Sequence, residues 1–228
     1  MRRFVLNTVT WILIASGAFF VVSGGEDYLE SQSAQDAIAS QWNAEQTVNS
    51  GVPDHGDVMQ SPAGRSRLPG SNREAKPVET REASRFTIVP HPGAAIARLS
   101  IPRLDAVLYV VEGDDNRDLK RGPGHLIGSA MPGQDGNCVI AGHRDTHFRV
   151  LKNIQKGDEI LLTRNGETWR YRVDELSIIA PDNLSPLQPS HAPVLNLITC
   201  YPFNYLGSAP KRFIVHAQLE DEPLRASR

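Results

Sequence analysis

The stretch LNLITCYPFNYLGSAPKRFIVHAQL, residues 195–219, decides how this chain is read. Two apolar, β-branched runs flank a segment rich in Pro, Gly, Asn and Ser, the pattern of two strands joined by a loop. In the first run, alternation puts Val194, Asn196, Ile198 and Cys200 on one face, and Leu195, Leu197 and Thr199 on the other. Cys200 closes that run, and the next opens with Lys211 and Arg212. Three fates for the thiol stand open at this point. It is a small buried hydrophobe, half of a disulfide, or a nucleophile that emerges into a cleft.

Outward from this stretch, short apolar or alternating runs recur from about residue 94 onward: AIARLSI, AVLYVV, NCVIAG, EILLTR and TWRYRVDELSII. They are punctuated by MPGQDGN, QKGD and RNGE, the last a two-residue hairpin signal. Helical pieces are short, DNRDLKRG and THFRVLKNI. So many short strands in one domain predict an all-β barrel or sandwich.

The preceding sequence differs. Residues 4–25 form a run of 22 without charge, led by Arg2 and Arg3 and followed by Glu26, Asp27 and Glu30. That length suits a bilayer span better than the ~7–15 residues of a signal-peptide core. The charge bias puts the N-terminus in the cytoplasm and the rest outside. In the alternative reading, Ser23, Gly24 and Gly25 form a cleavage site, and the chain is still exported. The expected organisation is an anchor over residues 1–25, a juxtamembrane helix over 26–46 and a disordered linker over 47–92. A catalytic domain over 93–221 and a tail over 222–228 complete it. Residues 1–92 are expected to be dispensable for chemistry. A net charge of −2 excludes the basic face of a general nucleic-acid binder, so no nucleic-acid partner is expected. Two cysteines, Cys138 and Cys200, exclude a disulfide-rich framework.

Three places carry possible chemistry. Cys200 ends a strand beside a Pro-containing loop. In CVIAGHRDTHF, Gly142 lets the backbone turn and His143 follows at a strand end, suited to acid–base work. His143, Asp145 and His147 alternate and would converge on a metal only if the strand continued. Asp145 and Thr146 instead look like the start of a short helix, so no metal site is expected. Arg212 is a poor base but a good donor to an anionic intermediate.

Together these elements resemble the sortases. LNLITC is similar to their TLxTC strand, Arg212 follows 12 positions after Cys200, and AGHRDTHF supplies the upstream histidine. The resemblance runs from about residue 97 to 219. TCYPF and APKRFIV look most like the class D group, and AGHRDTHF is similar to sortases of Gram-negative bacteria. Cys138 departs from the pattern, which usually has a non-reactive residue there. It lies an odd number of positions before His143, so the two should face opposite ways and Cys138 should be a buried structural thiol.

The resemblance implies a closed β-barrel of about eight strands with short helices, behind an N-terminal transmembrane helix and linker. It implies a membrane-anchored cysteine transpeptidase on the outer side of the membrane, acting without a cofactor. Its partners would be an exported protein with a C-terminal sorting motif and an amine acceptor. Cys200 would be the nucleophile, His143 the acid, Arg212 the oxyanion or backbone donor, and Thr199 a residue that positions the peptide. Rival readings are a cysteine peptidase that releases product to water, a non-catalytic anchored barrel, and a Cys138–Cys200 disulfide that would abolish the nucleophile.

Overall fold

The computed structural model describes residues 11, 14, 16, 30–44, 90–205, 207–220 and 224–225. The expected anchor and the expected linker fall almost wholly outside these, as does most of the tail. Among the described residues, no helix is long and apolar enough to cross a membrane.

Among the described residues, nine strands form one sheet: β1 (Ala95–Ile101), β2 (Ala106–Glu112), β3 (Gly124–His125), β4 (Asn137–Gly142), β5 (Glu159–Arg164), β6 (Glu167–Ile179), β7 (Val194–Tyr201), β8 (Lys211–Leu219) and β9 (Leu224–Arg225). The order is β5-β1-β2-β3-β4-β7-β8-β6-β9, and a further β5–β6 pairing closes β1 to β8 into a barrel. Closure depends on the 13 residues of β6. Its first half pairs with β5 and its second with β8, past a register shift between Val173 and Glu175. The RNGE turn behaves as read. Asn165 and Gly166 both take positive φ, and Arg164 pairs with Glu167. The inward residues of each strand, among them Leu99, Val110, Ile140, Leu162, Tyr171, Leu197 and Val215, fill the barrel completely.

Among the described residues, two α-helices pack against the barrel. Residues 30–44 form α1, and α2 (Asn116–Arg121) is capped by the Asp115 carboxylate, which accepts from the Arg117 and Asp118 N–H groups. α1 lies within the stretch 26–46 expected to be helical, and it is seated on the barrel. Ser31, Gln35, Ile38 and Trp42 recur at helical spacing, and the structure turns that stripe inward. Ile38 and Trp42 are buried, with the Trp42 ring 6.3 Å from that of Tyr109. Gln35 faces a stretch of β2 that the two-residue β3 is too short to cover. Its amide accepts from the Tyr109 N–H at 2.8 Å and donates to the Tyr109 and Arg121 carbonyls at 3.0 and 2.8 Å.

This docking gives α1 a part in stability, a matter separate from the expectation that residues 1–92 are dispensable for chemistry. Gln35→Leu would leave three main-chain groups unpaired beneath a helix, costing about 2–3 kcal/mol and lowering Tm by about 5–10 °C. A chain trimmed to start near His91 should likewise melt below the full chain. Equal melting temperatures for the three proteins would refute a stabilising role for α1.

Candidate active site

The site follows from strand register. β7 runs parallel to β4, with Gly142 beside Thr199, and antiparallel to β8, with Cys200 opposite Arg212. His143 follows directly after the last residue of β4, one position beyond the Gly142–Thr199 pair. Cys200 and Arg212 are strand partners, on strands about 4.8 Å apart. All three point outward from the barrel and line a single open cleft, together with Arg144, Gly207 and Ala209. Three of the four residues singled out from the sequence are thus brought together.

Thr199 is the exception. It faces inward at 2% exposure, and its hydroxyl donates to the Gly142 carbonyl at 2.7 Å. It cannot reach a peptide in the cleft, so the expected peptide contact gives way to a different job. It ties β7 to β4 at the peptide bond that leads into His143. The reason for Gly142 also changes. Its φ is not positive, and it is the last residue of β4 rather than a turn. What excludes a side chain is space, because a Cβ there would lie 2.7 Å from the ring of the fully buried Phe148. Phe148 in turn donates its N–H to the His143 carbonyl at 3.0 Å and opens the 3₁₀ turn His147–Asn153.

The two thiols have different surroundings. Cys200 is partly exposed in the cleft, and both cysteines are free. Cys138 is 1% exposed on the inner face, and burial drives its thiol pKa far up, toward an inert neutral form. Its strand partner is Leu195, five residues along β7 from Cys200. At about 3.3 Å per residue the two cysteines are too far apart for a disulfide.

Arg212 carries little internal obligation. Among the described residues its hydrogen bond is a 3.3 Å contact from Nη1 to the Lys211 carbonyl, which leaves most of the guanidinium to face a ligand. His147 turns the other way. It is buried, its Nε2 lies 3.0 Å from Ser31 Oγ of α1, and burial lowers its pKa toward neutral imidazole. His143, in the cleft, and His147, beneath α1, therefore do not converge. Among the described residues no three His, Cys, Asp or Glu side chains are placed to hold a metal.

Two features escaped the sequence. Arg144 reaches across the cleft to the β7–β8 connection, where Nη2 donates to the Tyr205 and Gly207 carbonyls, both at 2.8 Å. A second constellation, Ser129–His125–Glu112, has the spacing of a Ser–His–acid relay, at 2.9 Å for each contact. His125 Nε2 also faces the Ala130 carbonyl at 3.0 Å and so must donate there, while Ser129 Oγ accepts from the Val139 N–H. That imidazole is therefore a brace for β3 rather than a base.

Residues 99–220 match the sortase domain family model. Among characterised relatives, the chain is 39% identical over 130 residues to Sortase D of Bacillus subtilis, covering 57% of this chain and 66% of that protein. It is 36% identical over 109 residues to Sortase SrtE1 of Streptomyces coelicolor, covering 43% of this chain and 31% of that one. The chain thus spans just under two thirds of the first relative and about a third of the second. Among solved structures, a Clostridium perfringens Sortase D5 transpeptidase superimposes with a TM-score of 0.53 at 28% identity, over 58% of this chain and 83% of that one. Sortase A from Corynebacterium diphtheriae gives 0.52 at 36% identity, over 56% and 61%.

Proposed function

Because the chain belongs to the sortase family, we propose that it is a cysteine transpeptidase that cleaves a sorting motif near the C-terminus of an exported protein and passes the acyl group to an amine. The observation that carries this is that His143, just past the end of β4, lines one cleft with the strand partners Cys200 and Arg212.

Each residue has a separate task. The Cys200 thiolate attacks the scissile carbonyl, and the electron pair moves onto oxygen, where Arg212 donates to it. Collapse of that intermediate expels the amine of the next residue, which must take a proton as it leaves, and His143 supplies it. The thioester remains on Cys200. An incoming amine gives its proton to His143 as it attacks, and collapse expels the Cys200 thiolate, which restores the starting pair of thiolate and protonated imidazole. Thr199, through the Gly142 carbonyl, keeps acid and nucleophile at one level.

We place the enzyme outside the membrane, held by residues 4–25, on the strength of their uncharged run and the flanking arginines. A non-catalytic barrel would have left Cys200 in the core, whereas it is partly exposed beside His143. The test incubates the protein with a panel of sorting-type peptides, with and without an added amine, followed by mass spectrometry. A ligated product that requires Cys200 is expected. Cleavage with water as sole acceptor would make it a peptidase, and no cleavage of any peptide would overturn the reading.

A further inference from the structure

The residue after the histidine has work that those three residues do not include. Arg144 leaves the end of β4, lines the same cleft as Cys200 and Arg212, and crosses to the connection between β7 and β8. Its Nη2 donates to two carbonyls two residues apart, those of Tyr205 and Gly207, and its guanidinium carbon lies 5.7 Å from the centre of the Tyr205 ring. Gly207 itself has φ +92°, a conformation that favours glycine. No other side chain among the described residues hydrogen-bonds to Tyr205 or Gly207. The near end of the connection is fixed differently, by Phe203 packed edge-on against Tyr201 and Phe213, with centroids 6.1 and 5.4 Å away. One half of the connection therefore rests on an aromatic base, and the other is held by Arg144.

We propose that Arg144 is a positioning residue whose grip on Tyr205 and Gly207 sets how the acyl-enzyme divides between amine and water. The inference rests on the transpeptidase reading and extends it to the second half-reaction. Gly207, Ser208 and Ala209 form the cleft wall beside Cys200 and Arg212. Once the first amine has left, its place beside the thioester is where an acceptor must enter. A wall held at fixed distance orients that acceptor and limits water. A released wall does neither. Hydrolysis then gains on ligation, although acylation, which uses His143, Cys200 and Arg212, proceeds.

The test measures the ratio of ligated to hydrolysed product, and separately the rate of thioester formation on Cys200 without amine. For Arg144→Gln the ratio should fall about tenfold, the scale expected when charge-assisted hydrogen bonds are lost, while thioester formation stays within about threefold. Tyr205→Leu keeps the carbonyl and removes only the ring, so it should shift the ratio in the same direction by less. Arg144→Lys, with its charge but without the fork, should recover only part of the ratio. An unchanged ratio in Arg144→Gln, or a fall in thioester formation that accounts for the whole loss, would overturn the proposal. If Arg144→Gln does not fold, Tyr205→Leu decides, and an unchanged ratio there overturns it too. Absence of any thioester in the unaltered protein would instead overturn the transpeptidase reading, which separates the two failures.

Discussion

Cys200→Ala is expected to abolish covalent capture of a peptide electrophile while leaving the melting temperature unchanged within about 1 °C. The side chain is small, partly exposed and without a structural partner, so its loss opens no core cavity. Cys138 cannot substitute, since it faces the opposite side of the sheet among Ile140, Leu195 and Leu197 and is held as the neutral thiol. Intact-mass labelling should therefore show one adduct in the unaltered protein and none in Cys200→Ala. His143→Ala should fail differently. Its thiol should still react with small alkylators, but amide turnover should fall by about 10²–10⁴, the usual worth of a positioned acid. An adduct that persists in Cys200→Ala would show that the nucleophile has been misassigned.

Arg212→Lys is the second large effect, with turnover of an unmodified peptide reduced about 10²–10³-fold, as when one oxyanion donor is lost. The argument is geometric. Arg212 sits directly opposite Cys200 in an antiparallel pair, and among the described residues its guanidinium makes one long hydrogen bond, to its neighbour's carbonyl. A planar fork held there presents several N–H groups at once, whereas an ammonium is a compact point charge on a flexible four-carbon stem. Labelling of Cys200 by a small alkylator should be nearly unaffected. Near-normal turnover by Arg212→Lys would mean that the residue supplies only a general positive field.

Much of this was legible because strands and their faces write themselves into sequence. The runs read as β1, β2, β4 to β8 appear with ends within a residue or so. Alternation alone set Thr199 on the face of Leu195 and Leu197, opposite Cys200, which is where it lies. The peptide contact given to it came from the family resemblance and overrode that correct reading. β3 has two residues and leaves no periodic trace. The α1 stripe of Ser31, Gln35, Ile38 and Trp42 was visible in principle. It went unread because two of its four members are polar, and their partners, the Tyr109 main chain and His147, are remote in sequence. Arg144 was illegible for a deeper reason. It binds carbonyl oxygens, which every residue possesses, so nothing in the identities of its partners could announce them.

The seating of α1 also fixes a leash. Should residues 4–25 lie in the bilayer, only the few residues before residue 30 separate its surface from a helix already bound to the barrel. Fully extended, these four residues span about 14 Å at most. The 45 residues from 45 to 89 leave from α1 and come back to β1 of the same body, so their length adds nothing to that distance. The cleft would then work at a fixed, short height above the membrane, and an exported client would have to be caught while its own tail was still close to the lipid.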